Sequence, residues 1–303
     1  MRKHIIISLF VAILLILTAC VGQPPEAASR AAGTDSIQRV ISLGPNITEI
    51  LVGLDVGDTL VAIDEHSADI PGLPEGLPRL SIMPVDAEQL IALAPEIIFV
   101  AGIVQAEGDD PFSVLADTPI VVVHFPAVGD IADIMADIGM IAAMMSVPEA
   151  GDAIIAEMQQ AIDEIRTIGK TIADRRTVYF EISAAPFMFS FGSGTFLNEM
   201  IEIVGAANAL ANQGEWFFSV ADEVILSANP DVILTNISYL DDPIAEIASR
   251  PGWWDAMSAV QNGRIYQIPT NASSRPSHHI VEAMRVMAAV IYPEYFNLYG
   301  ANE

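Results

Sequence analysis

The chain has 303 residues, of which 52% are hydrophobic and 17% charged, so it holds enough apolar material for sizeable cores. Its 39 acidic residues outnumber the 13 basic ones and give a formal charge of −26 at pH 7. A surface this acidic repels polyanions, which excludes nucleic acid as a partner and argues against a highly anionic solute.

The amino-terminal segment is typical of an export signal. A positive start, Arg2-Lys3, precedes an apolar stretch to Leu17 that is too short to span a bilayer. The sequence Leu17-Thr18-Ala19-Cys20 then resembles the lipobox of bacterial lipoproteins, which predicts a signal peptide over residues 1–19 and lipidation of Cys20. Residues 20–38, rich in Pro, Ala and Ser, predict a flexible tether. We therefore expect the protein outside the cytoplasmic membrane, lipid-anchored at the cell surface or in the periplasm.

Two segments of the chain repeat the same pattern. Residues 86–100 and 221–235 each predict a short helix, a proline-acid break and a β-branched strand. Asp86 and Ser219 are placed to cap the two helices. The spacing indicates a duplicated unit, one copy in each half of the chain.

Strands and helices alternate through both halves, which predicts mainly parallel sheets with helices on both faces. The predicted strands are at residues 39–43, 97–101, 120–124, 177–182, 232–235 and 265–268.

A long helical region separates the two halves. It covers residues 130–145 and, from Pro148 onward, a second stretch of about 20 residues that would span roughly 30 Å. Two helices of an ordinary domain would fit the same pattern, but the duplication favours a bridge. The expected fold class is α/β: two doubly wound lobes with mainly parallel sheets, joined by one long bridging helix. We assign the N-terminal lobe to 39–128, the bridging segment to 129–172 and the C-terminal lobe to 173–303.

The segment Arg39-Val-Ile-Ser-Leu-Gly-Pro-Asn-Ile-Thr-Glu-Ile-Leu51 resembles the opening motif of the helical-backbone, or class III, periplasmic binding proteins. The resemblance continues over most of residues 39–295. It implies a solute-binding protein of an ABC importer with no catalytic activity and no intrinsic cofactor. The implied solute is an iron complex, either a siderophore or haem, with cobalamin as the alternative. The implied partners are a permease dimer and its ATPase subunits, served by a monomeric binding protein.

In that family one surface glutamate on each lobe docks to the permease. By position, these glutamates are Glu88 and Glu223, seven residues before the proline in each repeat. Two carboxylates related by a pseudo-twofold axis can meet a symmetric permease dimer. The alternative is that each glutamate only favours the start of its own helix through the helix dipole.

Ligands of doubly wound sheets meet the loops at the carboxyl ends of the strands, so we expect the solute in a cleft between the lobes. The aromatic run Trp216-Phe217-Phe218 is the best candidate for an apolar wall. The predicted ligand-binding residues are Pro45, Asn46, His66, Met83, Phe187, Trp216, Phe217, Tyr239, Arg275, His278 and His279.

Metal contact is expected only through a bound iron complex. Met83 occupies the position where haem-binding relatives carry an axial methionine, and His278-His279 replace a Pro-Arg pair common in the family. Met83 with His279 or His278 could therefore form an axial pair for iron. A bare divalent ion held by His66, His124 and a third histidine is a weaker alternative.

Enzymatic motifs find little support in the sequence. Gly192-Ser-Gly194 lacks the Lys-Ser/Thr of a phosphate-binding loop, and the chain has neither a Gly-x-Ser-x-Gly elbow nor a His-Glu-x-x-His motif. A surface lipoprotein hydrolase is the alternative from another functional class.

Overall fold

The computed structural model describes residues 36–102 and 110–296. The predicted signal peptide at 1–19, the lipidation site Cys20 and the tether up to residue 35 lie outside these residues. Of the helices described, none is both long enough and apolar enough to cross a membrane.

The first sheet holds five strands: β1 (Val40–Leu43), β2 (Leu60–Asp64), β3 (Arg79–Leu80), β4 (Ile97–Val100) and β5 (Val121–His124). All run parallel, in the order β3-β2-β1-β4-β5. Every residue of β1 and β4 is buried, as expected for a parallel sheet covered on both faces. Helices α1 (Pro45–Gly53) and α2 (Ala87–Ala92) follow β1 and β3, respectively.

Two consecutive helices connect the halves of the chain: α3 (Ile131–Met144) and α4 (Pro148–Gly169), which has 22 residues. Asp130 begins α3 with a capping box, in which its side chain accepts from the Asp133 backbone N–H and the Asp133 side chain accepts in return. One face of α4 is buried through Met158, Ala161, Ile162 and Ile165. Helix α4 therefore lies where the spacing of apolar residues predicted the long helix.

The second half contains β6 (Thr177–Glu181), β7 (Phe189–Phe191), β8 (Ala207–Asn208), β9 (Phe217–Ser219), β10 (Val232–Thr235) and β11 (Ile265–Gln267). Four of these strands form a parallel sheet in the order β11-β10-β6-β8, while β7 and β9 pair antiparallel beside it. Its helices are α5 (Phe196–Ile203), α6 (Asp222–Ala228), α7 (Pro243–Ala248), α8 (Trp253–Ala256), α9 (Ser258–Gln261), α10 (Thr270–Ser274) and α11 (Ile280–Ile291).

Helix α4 is the bridge between the two sheets. It packs against α3 on one side and against α5 and α11 of the second half on the other. One cluster of buried residues contains Val40 of the first sheet, Ile162 of α4 and Val178 of the second sheet. Since this core continues from one half into the other, the connection is stiff rather than a free hinge. The expected fold class, two α/β lobes joined by one long helix, is confirmed.

A buried ion pair fixes the second sheet to its covering helices. Both oxygens of Glu181, at the end of β6, accept hydrogen bonds of 2.7 Å from the Arg250 guanidinium. Glu246 also pairs with Arg250, and the guanidinium lies 4.6 Å from the centre of the Trp253 ring. Burial would lower the Arg250 pKa, but these carboxylates outweigh it and raise that pKa, so the guanidinium remains charged.

Of the two helix caps predicted from the sequence, one is confirmed and one is wrong. The predicted cap at Asp86 is confirmed, because its side chain accepts from the backbone N–H groups of Glu88 and Gln89. The predicted cap at Ser219 is wrong: Ser219 pairs with Phe189 as the last residue of β9, and α6 begins at Asp222 without a side-chain cap. The antiparallel pairing takes Ser219 into the strand, and the N-cap position falls to Ala221, which the repeat aligns with Asp86.

Candidate functional site

A cavity of about 370 Å³ lies between the two lobes, where loops follow the carboxyl ends of the strands. Both lobes contribute to its lining. The first lobe supplies Pro45, Asn46, His66, Ala101, Gly102, Pro126, Ala127 and Val128, and the second supplies Phe196, Trp216, Phe217, Asn271, Ser274, Arg275 and Pro276.

The first lobe brings its loops into very close contact at this cavity. A Cβ at Gly44, between β1 and α1, would lie only 2.5 Å from the Cβ of Ala101, so only glycine allows the loops after β1 and β4 to approach. The chain then enters α1 through Pro45, which suits the first helical position, and Asn46. His66 lies in a short 3₁₀ turn after β2, where the Asp64 side chain accepts from its backbone N–H at 2.9 Å.

The second lobe forms an aromatic wall. The rings of Trp216 and Phe217 meet edge to face with centroids 5.4 Å apart, and Phe217 packs in the same way on Phe191 at 6.3 Å. Pairing of β7 with β9 sets Phe191 opposite Phe217 and thereby holds the wall. Trp216 is 42% exposed, while Phe218 packs on the core behind. The aromatic run is thus divided between the cavity and the core.

Arg275 joins the two lobes at the edge of the cavity. Its guanidinium donates to Glu49 Oε1 at 3.0 Å, to the His66 carbonyl at 3.0 Å and to Asp69 Oδ1 at 2.7 Å. Burial alone would lower the Arg275 pKa, but the hydrogen bonds with Asp69 and Glu49 outweigh it and raise that pKa. Ser277 Oγ donates to the second oxygen of Glu49 at 2.5 Å. Both terminal nitrogens of the guanidinium therefore donate to acceptors of the opposite lobe.

Three other predicted residues are exposed and do not line this cavity. Met83 and Phe187 lie in the loops after β3 and β6, respectively. Tyr239 accepts from the Ala184 backbone N–H through its hydroxyl oxygen, at 2.8 Å. His124, at the end of β5, is also exposed and meets the Phe112 ring edge-on at 5.3 Å.

His278 and His279 line a different cavity, also of about 370 Å³, between α4 and α11. The two rings stack with centroids 4.1 Å apart. The His278 ring lies against α1, where a Cβ at Gly53 would come within 2.6 Å of its Cε1 atom. Burial, together with the neighbouring His279, lowers the His278 pKa to about 4, so this ring is neutral at neutral pH.

The structure does not support a bare metal site. Within residues 36–102 and 110–296, no three His, Cys, Asp or Glu side chains converge in a metal-binding group. The alternative of a divalent ion held by His66, His124 and a third histidine is therefore wrong, because His66 lines the interlobe cavity whereas His278 and His279 line a different one. Of the residues proposed to contact iron through a ligand, neither Met83 nor the His278–His279 pair lines the cavity between the lobes.

Several residues in or beside the cavity were missed by sequence reasoning. Glu49 and Asp69, in α1 and in the turn after β2, do not line it but pair with Arg275, more than 200 positions away. Phe196 and residues 126–128 line the cavity itself. Topology was the one signal that could have indicated residues 126–128, because they follow the carboxyl end of β5, where ligands of such sheets bind.

Glu88 and Glu223 lie in equivalent places on the two lobes. Each is exposed in the first turn of its helix, α2 or α6, and each of these helices is followed by a central strand of its sheet. The duplicated unit thus presents one carboxylate from each lobe.

A family model and several known proteins match most of this chain. A family model described as periplasmic binding protein matches residues 40–272. The chain is 26% identical over 261 residues to the Bacillus subtilis protein named uncharacterized ABC transporter substrate-binding lipoprotein YvrC, covering 86% of this chain and 81% of that one. It is 25% identical over 251 residues to the vitamin B12-binding protein of Vibrio cholerae, covering 82% and 86% of the two chains.

A solved structure extends the similarity to three dimensions. A possible iron-binding (periplasmic solute-binding) protein from Staphylococcus epidermidis superposes with a TM-score of 0.74 at 25% identity. The superposition covers 85% of this chain and 100% of that one. The two-lobed architecture is therefore shared with known binding proteins.

Proposed function

The chain belongs to the periplasmic binding protein family, and from this membership we propose that it is the solute-binding protein of an ABC importer. The solute would be held in the cavity between the lobes and handed to a permease dimer driven by its ATPase subunits. Residues 39–128 and 173–303 would act as the two lobes, and 129–172 as the bridging segment. The support is the interlobe position of the cavity, whose lining comes from both lobes.

We propose a corrinoid of the cobalamin type as the solute, ahead of an iron chelate. The observation that carries this choice is the pairing of Arg275 with Glu49 and Asp69, two carboxylates that offset its single positive charge and weaken its attraction for an anionic ligand. The rest of the lining suits a neutral, amide-bearing macrocycle, because Trp216 and Phe217 offer aromatic faces and Asn46 offers an uncharged polar group. The enclosed volume would hold one edge of such a ligand, with the remainder in the mouth of the cleft.

Titration of the purified protein tests this proposal. Cyanocobalamin should quench tryptophan fluorescence saturably and be recovered unchanged, whereas haemin and a ferric siderophore should bind at least about tenfold more weakly. Tight binding of haemin or the siderophore with no binding of cyanocobalamin would reject the corrinoid. Conversion of the bound ligand into a product would reject the role of a binding protein.

An iron complex is the second candidate, and His66 is the observation that favours it. His66 is exposed, lines the cavity and could complete the coordination of a bound iron. The visible spectrum of protein purified from its native host distinguishes the two candidates. A Soret band indicates haem, a broad charge-transfer band indicates a ferric siderophore, and corrin bands indicate cobalamin.

We further propose that lipidated Cys20 anchors the protein outside the cytoplasmic membrane through the tether of residues 20–38. Glu88 and Glu223 would then dock one lobe each onto the permease dimer. Their equivalent, exposed positions support this role, and a monomeric binding protein suffices for it.

A further inference from the structure

In the described part of the chain, three charged side chains meet at the edge of the interlobe cavity. Among the described residues that line the cavity, Arg275 is the one arginine or lysine. Two carboxylates of the opposite lobe pair with it, Glu49 at 3.0 Å and Asp69 at 2.7 Å. One positive charge against two negative charges leaves this group with a net charge of −1.

The two carboxylates differ in their surroundings. The Glu49 side chain is 6% exposed and also accepts from Ser277 Oγ, so it is the buried counter-ion that keeps Arg275 in place. The Asp69 side chain is 55% exposed, and its second oxygen accepts from Asn271 Nδ2 at 2.7 Å. Asp69 is therefore the excess negative charge, exposed to solvent and hydrogen-bonded to two residues that line the cavity, Arg275 and Asn271.

Asp69 carries its charge even in mildly acidic solution. Its partial burial would raise its pKa, but hydrogen bonds from Arg275 and Asn271 outweigh that effect and hold the pKa below its usual value. The Asn271 side chain itself lines the cavity, so the orientation of Asp69 is fixed by a residue in contact with the ligand space.

We propose that Asp69 is a specificity-determining residue that keeps the cavity net negative, so that the protein accepts neutral solutes and discriminates against solutes bearing carboxylates. This inference rests on the proposed function for its biological meaning. Its physical basis is that a like charge beside a partly desolvated site disfavours an anionic ligand. Arg275 does not compensate, because its single positive charge is already paired with two carboxylates.

Two ligands of the same shape test the proposal on the purified full-length protein. These are cyanocobalamin and its monocarboxylate, in which one side-chain amide is hydrolysed. Wild-type protein should bind the monocarboxylate at least about threefold more weakly, the order expected for one like charge at a partly exposed position. Asp69→Asn should remove most of that difference, measured as the ratio of the two affinities within each protein.

Asp163→Asn is the matched control. Asp163 pairs with Arg166 on α4 and its side chain is 57% exposed, close to the value for Asp69, but its partner Arg166, unlike Arg275, does not line the cavity. This variant should keep the wild-type discrimination. Equal discrimination by Asp69→Asn and wild type, or equal loss in both variants, would overturn the proposal.

A second measurement needs no bound ligand. Trp216 lines the cavity, so its quenching by iodide, an anion, and by acrylamide, which is neutral, reports the local potential. The contribution of Trp216 is obtained by difference from the same proteins carrying Trp216→Phe. Asp69→Asn should raise the iodide quenching constant of Trp216 by about one half and leave acrylamide quenching unchanged.

Ligand titration and iodide quenching test the proposed solute and the role of Asp69 independently. Failure of wild-type protein to bind either corrinoid would reject the proposed ligand, while iodide quenching would still decide the role of Asp69. An unchanged iodide constant in Asp69→Asn would reject the role of Asp69 whether or not corrinoids bind.

Discussion

At the scale of single residues, Trp216 lines the cavity but contributes little to the packing of the fold. Its ring is 42% exposed and rests on Phe217 rather than in a buried cluster. Large aromatic side chains with this exposure contribute contact area to a ligand at small cost in conformational freedom.

Trp216→Ala should therefore weaken binding of the solute at least about tenfold and lower the free energy of unfolding by less than about 1 kcal/mol. Isothermal titration and chemical denaturation measure the two effects. Phe191→Ala is the contrasting variant, because Phe191 is fully buried and its loss should cost about 3–5 kcal/mol. A large stability loss in Trp216→Ala with unchanged affinity would assign this ring to the core.

His278 has a structural environment with a measurable pH consequence. Its ring is packed against Gly53, and within the described part of the chain its buried Nδ1 atom has no hydrogen-bond partner. The pKa of His278 is lowered from 6.5 to about 4, so the unfolded state takes up the proton first as the pH falls.

The contribution of His278 to stability should be complete above pH 6.5 and decline as the pH falls from 6.5 toward 4, by up to about 3 kcal/mol. His278→Leu removes the titrating group, so its unfolding free energy should depend less on pH over this interval. Denaturation at pH 7, 6 and 5 provides the measurement. His124→Leu, which removes an exposed histidine, serves as control, and identical pH slopes in the two variants would contradict the prediction.

At the scale of an element, α3 contains a buried carboxyl whose charged form is disfavoured by its surroundings. Asp137 is 7% exposed on this helix, between the buried residues Ile134 and Ile138. Burial, with a further contribution from the nearby Asp133, raises the Asp137 pKa from 3.8 to about 7. The protonated form therefore suits the folded helix, and its contribution to stability is lost as the pH rises through about 7.

Asp137→Asn should stabilise the protein at pH 8, by about 2–4 kcal/mol, and have a much smaller effect at pH 5. The amide keeps the shape of the carboxyl but carries no charge at either pH. Urea denaturation at the two pH values measures the difference. Asp152→Asn changes an exposed carboxyl of α4 and should show no such pH dependence; an equal effect of Asp137→Asn at both pH values would reject the interpretation.

At the scale of the whole molecule, the duplicated lobes present Glu88 and Glu223 as an equivalent pair. If both dock to a symmetric permease, removing both should reduce transport at least about tenfold while ligand affinity stays the same, because neither glutamate lines the cavity. Uptake of labelled solute in cells and titration of the purified double variant Glu88→Ala/Glu223→Ala measure the two quantities.

Glu65→Ala/Glu149→Ala is the matched control for this experiment. It removes the same charge from two exposed positions, each in the first turn of a helix. Normal uptake is expected for this control. Normal uptake by the Glu88/Glu223 variant as well would exclude these glutamates from docking.

The amino-acid sequence by itself determined the elements and their order. Buried strands such as Val232–Thr235 consist mostly of β-branched residues, and α4 carries an apolar face at helical spacing, so local patterns were enough to locate them. The duplicated unit and the sequence motifs then sufficed to predict two α/β lobes joined by one helix.

Only the tertiary structure decided which side chains meet at the cavity. Arg275 was predicted to bind ligand, but its position relative to Glu49 and Asp69 depends on how the lobes pack, and no local pattern encodes a contact between residues so far apart in the chain. His278 lies against α1 instead of the cavity because α11 begins only at Ile280 and the preceding turn directs the ring toward Gly53. Periodicity specifies which face of an element is buried, whereas the neighbours of each polar side chain depend on the packing of elements distant in sequence.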